Sequence, residues 1–222
     1  MMAPTSRALE SMVKMEPIEK RRIGIMGGTF DPIHVGHLML AQWALDGLSV
    51  DEVWLVPTGM SYMKASRQSL PGEERLHMTE LAVCDNDRFR CLDLEVRREG
   101  YTYSYETLEE LRNLYPEEEF YFILGADCLF AIEGWKSPER IFGCCTLVAA
   151  VRGDRNLSEM EAKRKELMEK FRPERGIVLL PFLSMSLSST EIRERVRKGQ
   201  SVRYLVPDRV LAYIREKGFY QS

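Results

Sequence analysis

A membrane span needs ~20 consecutive apolar residues, and no stretch of this 222-residue chain approaches that. Basic excess is also missing. The net charge of −3 argues against a general nucleic-acid binder. The five cysteines, Cys84, Cys91, Cys128, Cys144 and Cys145, contain no C-x-x-C pair. Neither a zinc site nor a disulfide framework is indicated, and small buried thiols in a reducing cytoplasm are expected. Two common phosphate-binding patterns are absent as well. There is no G-x-x-x-x-G-K-[ST], and the glycines at 24, 27 and 28 do not fit G-x-G-x-x-G. Residues 1–21 lack the continuous apolar segment of a signal peptide. They read as a flexible tail ahead of one domain spanning 22–222, long enough for a full core. No cluster of acids suggests an all-protein metal cage.

What is present is concentrated in Ile23 to His37, Ile-Gly-Ile-Met-Gly-Gly-Thr-Phe-Asp-Pro-Ile-His-Val-Gly-His. Two of the chain's three histidines lie here, three residues apart. An apolar run suited to a buried strand leads into glycines, and an apolar-periodic segment suited to a helix follows. Glycines let backbone approach a ligand closely, and the first-turn N–H groups of a helix point at anions. Imidazoles at that helix start add donors for charge developing on phosphate. On these grounds Gly27, Gly28, Thr29, Phe30, His34 and His37 form the first candidate site.

Strand-like and helix-like segments then alternate. Strands are expected at 23–27, 52–56, 89–95, 120–124, 146–151 and 177–180. Helices are expected at 36–48, 71–84 and 104–115, in a short piece after Gly125, from Ser137, and at 158–171, 189–198 and 207–217. The stretch 58–70 reads as loop. Ser137 is expected to cap its helix, and Ser158 with Glu161 to form a capping box. The alternation predicts an α/β fold, a Rossmann-like doubly wound parallel sheet with helices on both faces and a small C-terminal helical subdomain. Ligands of such a sheet sit beyond the carboxyl ends of its strands, so the groups following each strand become candidates.

The string Gly27-Gly-Thr-Phe-Asp-Pro-Ile-His34-Val-Gly-His37 resembles the H-x-G-H nucleotidyltransferase superfamily, and in its longer form the nicotinate mononucleotide adenylyltransferases. Further matches follow in order from about Arg22 to Tyr220. Arg98 to Leu108 is similar to R-x-G-x-S-Y-T-x-D-T-L, with Tyr103 identical and Ser104 in the Thr place. Gly125-Ala-Asp127 matches G-x-D, and Arg152 matches a basic residue at a strand end. Leu187-Ser-Ser189-Thr190-Glu-Ile-Arg193 matches I-S-S-T-x-I-R but for its first residue. The loop that often reads Pro-Pro-His-Lys keeps only Lys64, and Lys136 replaces the Tyr that often follows Trp135. The closing segment through Phe219-Tyr220 reads as packing.

The resemblance implies an enzyme that transfers AMP from ATP to nicotinate mononucleotide in NAD biosynthesis, with Mg²⁺ carried in by ATP. It implies catalytic roles for His34, His37 and Arg193. ATP would be held by Gly27, Gly28, Thr29, Phe30, His37, Gly125, Asp127, Arg152, Ser189, Thr190 and Arg193. The pyridine nucleotide would be held by Thr29, Lys64, Tyr103, Ser104, Trp135 and Lys136. No nucleic-acid or membrane partner is expected. Three rivals are an adenylyltransferase for nicotinamide mononucleotide or phosphopantetheine, a non-catalytic nucleotide sensor, and a distant synthetase-like tRNA binder.

Overall fold

The computed structural model describes residues 20–61, 69–151, 157–183 and 186–221. Its centre is a strand of alternating destiny. In β1 (Arg22–Gly28), Ile23 and Ile25 face one apolar cluster while Met26 faces another. The same alternation runs through β2 (Glu52–Pro57), where Trp54 and Val56 oppose Val53 and Leu55. Side chains of a strand point to opposite faces with period two. A sheet buried on both faces therefore reads as a continuous apolar run, and this is why those segments carry no polar alternation.

The main sheet is completed by β4 (Phe89–Cys91), β6 (Glu119–Gly125), β7 (Thr146–Val151) and β8 (Ile177–Pro181). Its order is β4-β2-β1-β6-β7-β8, and every neighbouring pair is parallel. The chain travels outward from β1 on one side, then returns to start the other side with β6. A crevice opens where that direction reverses, beyond the ends of β1 and β6. Gly24 lets these strands close up. A Cβ there would lie 2.9 Å from the Ile123 side chain and 3.1 Å from Val53.

Helices cover both faces. One cluster joins α1 (Val35–Gly47), α2 (Gly72–Val83), α7 (Ser189–Arg197) and α8 (Asp208–Lys217) to the sheet. The C-terminal pair thus shares the core of the first two helices, through Ile192, Val210, Leu211 and Ile214. The other cluster holds α3 (Ser104–Leu114), α4 (Ala126–Ala131), α5 (Pro138–Cys144) and α6 (Leu157–Phe171). Trp54 is fully buried there, beside Tyr115 and Phe120, with its indole N–H donating to Glu52 at 2.6 Å.

Several expectations are corrected. The third main-sheet strand stops at Cys91 rather than running to Glu95, because the chain turns. Arg97 N–H bonds Asp93 O at 3.0 Å and Arg98 N–H bonds Glu95 O at 3.3 Å. The turn drives Glu95 inward, to 6% exposure. Part of the expected 58–70 loop forms β3 (Met60–Ser61), paired in parallel with β5 (Tyr101–Thr102) in a second small sheet. Ser137 precedes α5 in a left-handed conformation, φ 48°, without a side-chain cap. Helix α6 begins at Leu157, one residue ahead of the expected start at Ser158. Of the thiols, Cys144 and Cys145 are buried but Cys84 is exposed. Most of the expected 1–21 tail lies outside the described residues. Arg21 is already tied down, pairing with Glu52 and accepting the Glu119 N–H at 2.8 Å.

Candidate active site

The turn from β1 to α1 is tightly specified. Phe30 is buried at φ 48°, and the Asp31–Pro32 peptide is cis. A left-handed non-glycine residue is costly and survives only when its surroundings over-determine it. Here the Phe30 ring fills the space where a Gly28 Cβ would sit, 2.6 Å from a ring carbon. The same ring meets His37 edge-on at 5.0 Å. His34 and His37 stack at 3.6 Å, and a Cβ at Gly36 would approach the His34 ring at 3.1 Å. That contact is the local reason for glycine between the two histidines.

Protonation of His37 follows from its partner. Its Nδ1 accepts the His34 backbone N–H at 3.2 Å, so the neutral ring carries its proton on Nε2. His37 is then a hydrogen-bond donor at the start of α1, where the helix dipole also favours negative charge.

The second motif meets the first. Ser188 caps α7 by accepting the Glu191 N–H at 3.2 Å. Ser189 Oγ donates to Pro32 O at 2.9 Å, and Arg193 donates to Asp31 O at 2.7 Å and to Thr190 Oγ1 at 3.2 Å. Segments more than 150 positions apart in sequence thus share one turn. A cavity of about 230 Å³ lies between them, lined by His34, His37, Phe182, Leu187 and Ser189.

A second cavity, about 200 Å³, lies on the other side of the glycine turn. Its floor is apolar, with Ile25, Val56, Phe122 and Leu124 from the strand ends. Its rim brings together Gly27, Gly28, Thr29, Tyr103, Ser104, Trp135 and Lys136. Tyr103 is the residue before α3 and Ser104 its first, so helix-start N–H groups flank the opening. A flat apolar slot with a few polar groups suits an aromatic ring.

Gly125 and Asp127 open α4 at the end of β6 but line neither cavity. Lys64 and Arg152 lie outside the described residues.

Arg75 and Glu95 contribute without a sequence signal, whereas Tyr220 was expected only to pack and Thr58 follows the second strand. Arg75, 3% exposed, donates to Thr29 O at 2.7 Å, Leu70 O at 3.0 Å and Gly59 O at 3.4 Å. It clamps the turns after β1 and β2 together. Burial lowers its pKa, opposed by the charge of Asp31. Tyr220 donates to the buried Asp31 carboxylate at 2.6 Å. Burial, then the Asp31 charge, pushes the Tyr220 phenol far up. Glu95 lines the second cavity and accepts the Thr107 hydroxyl at 2.7 Å. Burial raises its pKa against the hydrogen bonds of Thr107, Thr102 and Gly59 and the charge of Arg98. Thr58 lines the same cavity, its N–H fixed on Gly28 O at 2.8 Å.

The fold places the chain in a class. A family model described as cytidylyltransferase-like matches residues 25–195, and the chain belongs to that family of nucleotidyltransferases. Its relatives give the particular group. A protein of Lachnoclostridium phytofermentans is 42% identical over 200 residues, covering 90% of this chain and 99% of the relative. One from Dehalococcoides mccartyi is 42% identical over 201 residues, covering 90% and 97%. Both carry the name probable nicotinate-nucleotide adenylyltransferase. The chain is a member of the nicotinate-nucleotide adenylyltransferases. The fold is also that of Plasmodium falciparum nicotinic acid mononucleotide adenylyltransferase complexed with NaAD, with a TM-score of 0.72. That likeness, at 22% identity, covers 90% of this chain and 97% of the other.

Proposed function

We propose that this protein transfers AMP from ATP to nicotinate mononucleotide, giving nicotinate adenine dinucleotide and pyrophosphate in NAD biosynthesis. A phosphate oxygen of the mononucleotide attacks the α-phosphorus in line. The bond from that phosphorus to the bridging oxygen breaks, and the electron pair leaves on pyrophosphate. Both reactants are anions, so the task is alignment and charge neutralisation rather than covalent chemistry. Alignment alone can contribute roughly 7–11 kcal/mol.

In this reading His37 donates through Nε2 to the phosphates at the reacting centre, with His34 stacked behind it. Arg193 and the Ser189–Thr190 turn hold the departing pyrophosphate. Gly27, Gly28 and Thr29 run between the two cavities and carry phosphate backbone contacts. Trp135 stacks on the pyridine ring, and the Tyr103–Ser104 helix start takes the ring carboxylate, with Lys136 adding positive charge. Asp127 serves the ribose hydroxyls. Among the described residues no group of three His, Cys, Asp or Glu side chains could hold a metal ion. In this reading Mg²⁺ would be carried in with ATP as part of the substrate and would supply neutralisation of phosphate charge. The reading places the enzyme in the cytoplasm, in keeping with five cysteines outside any disulfide.

The observation that supports this most directly is the meeting of α7 with the glycine turn through Ser189–Pro32 and Arg193–Asp31. It brings the start of α7 against the turn that leads into the histidine pair, which supports a shared phosphate site. The test is pyrophosphate release from ATP against a panel of acceptors. Nicotinate mononucleotide should be turned over fastest. Equal or faster use of nicotinamide mononucleotide or phosphopantetheine would reassign the acceptor, and no release with any of them would leave a nucleotide sensor.

A further inference from the structure

Four of the five carbonyls from Gly28 to Pro32 are held by donors on other parts of the chain. Gly28 O accepts the Thr58 N–H at 2.8 Å, and Thr29 O accepts Arg75 Nη1 at 2.7 Å. Asp31 O accepts Arg193 at 2.7 Å, and Pro32 O accepts Ser189 Oγ at 2.9 Å. A trans peptide is planar, so each N–H points opposite to the carbonyl it shares a plane with. Tying back Gly28 O and Thr29 O therefore directs the N–H groups of Thr29 and Phe30 away from those partners. Strand β1 pairs with β2 as far as Gly28 but with β6 only as far as Ile25. The side of the turn opposite β2 is thus open to the crevice. A carbonyl free to swing there would present the negative end of its dipole to any bound phosphate.

Arg75 is the least expected of these donors. It is 3% exposed, and Asp31 and Glu95 act on it only through their charge. Burying a cation without a paired carboxylate is costly. Other inward positions of α2 are filled by Leu76, Met78, Ala82 and Val83, so packing alone does not call for a guanidinium. What the group supplies is a rigid fork of donors. Nη1 reaches Thr29 O after β1, Nη2 reaches Gly59 O after β2 at 3.4 Å, and Nε reaches Leu70 O ahead of α2 at 3.0 Å. One side chain sets three segments against each other.

We propose that Arg75 is a positioning residue for the transfer reaction: by holding Thr29 O against the turn after β2, it keeps that carbonyl off the phosphates and fixes the Gly28–Thr29 backbone relative to His37. It acts through the turn and does not touch substrate. This rests on the preceding reading, in which Gly28 and Thr29 carry phosphate contacts.

Arg75→Met keeps much of the side-chain volume and removes all three donors. Assayed well below its melting temperature, it should show kcat lowered on the order of 10²-fold, the scale of a misplacement of about 1 Å at a reacting centre. KM for ATP and for nicotinate mononucleotide should each change by less than about tenfold, so that the loss lies mainly in the reaction step. A kcat near that of wild type would overturn the proposal, whatever the melting temperature, because stability alone would then explain the residue. Arg75→Lys keeps the charge, but an ammonium is a single point and cannot span three carbonyls. Its kcat should also fall, by more than about tenfold. Wild-type kcat in Arg75→Lys would overturn the proposal by assigning the effect to charge. Should Arg75→Met fail to fold, Arg75→Lys decides alone on the same terms. Should wild-type protein release no pyrophosphate with nicotinate mononucleotide, the enzymatic reading fails on its own. Calorimetric titration with ATP then decides the role of Arg75. Weaker binding by Arg75→Lys than by wild type would uphold it, and equal affinity, or no binding by wild type, would overturn it.

Discussion

Tyr220→Phe removes one oxygen from the molecule and reaches its catalytic end. The Tyr220 hydroxyl donates to Asp31 Oδ1 at 2.6 Å, and Asp31 is 4% exposed. The ring itself stays in the variant, so apolar burial is nearly conserved and no large cavity opens. What is lost is a hydrogen bond to a buried charged group, worth roughly 1.5–3 kcal/mol. The arginines Arg75 and Arg193 act on the same Tyr220–Asp31 pair and offset part of the loss. We expect a net cost of about 2 kcal/mol. For a chain of this size that lowers the melting temperature by ~4–8 °C. Thermal or urea melts of the two proteins side by side measure it directly. Because Asp31 O also receives Arg193, the variant should raise KM for ATP more than KM for the mononucleotide. A melting shift below about 1 °C, less than half a kilocalorie on the same scale, would refute the reasoning. It would mean that the carboxylate is satisfied without the phenol.

Other outcomes follow from the same geometry. His37→Ala should lower kcat by about 10² or more, the scale of losing one preorganised donor; a loss under roughly tenfold would take His37 out of the chemistry. Gly59→Ala should cost about 3 kcal/mol in a urea melt, the upper end of ordinary overpacking. A Cβ there falls 2.1 Å from Glu95 O, a backbone atom that cannot swing aside, and a wild-type midpoint would show that the turn adjusts freely. Glu95 has its pKa raised by burial. The folded protein therefore holds that proton to higher pH than the unfolded chain does, and stability falls as pH rises from the ordinary carboxylate range through the raised value. Glu95→Gln lacks this slope, so its stability relative to wild type should improve on going from about pH 4 to about pH 8. A flat difference across that range would show that burial does not dominate at Glu95.

The sequence made the parallel sheet legible because both faces are buried, leaving apolar runs such as Phe120–Leu124 that only a covered strand tolerates. The glycine turn and the α7 start were legible because each combines local signals, a strand ending in glycines and a capping serine, with motifs in a fixed order. The early end of β4 was hidden because Leu92 and Leu94 continue the apolar alternation while the backbone turns to bury Glu95. Ser137 looked like a cap by composition, but a cap is defined by backbone geometry, which composition does not carry. Arg75 and Tyr220 were invisible for a different reason. Their partners lie 46 and 189 positions away, and an arginine or tyrosine on a helix or at a terminus carries no mark of a distant carbonyl or carboxylate.

The reach from Asp31 to Tyr220 also sets a timetable for assembly on the ribosome. The lining of the slot around Trp135 is contributed by residues 25 to 141, so it is available for folding before α7 and α8 are made. The grip on Asp31 and Pro32 comes from Ser189, Arg193 and Tyr220, which emerge later. On the proposed assignment of the two cavities, a nascent chain can therefore shape a berth for one reactant while lacking the clasp for the other. Loss of a few C-terminal residues should silence the enzyme while much of its framework survives.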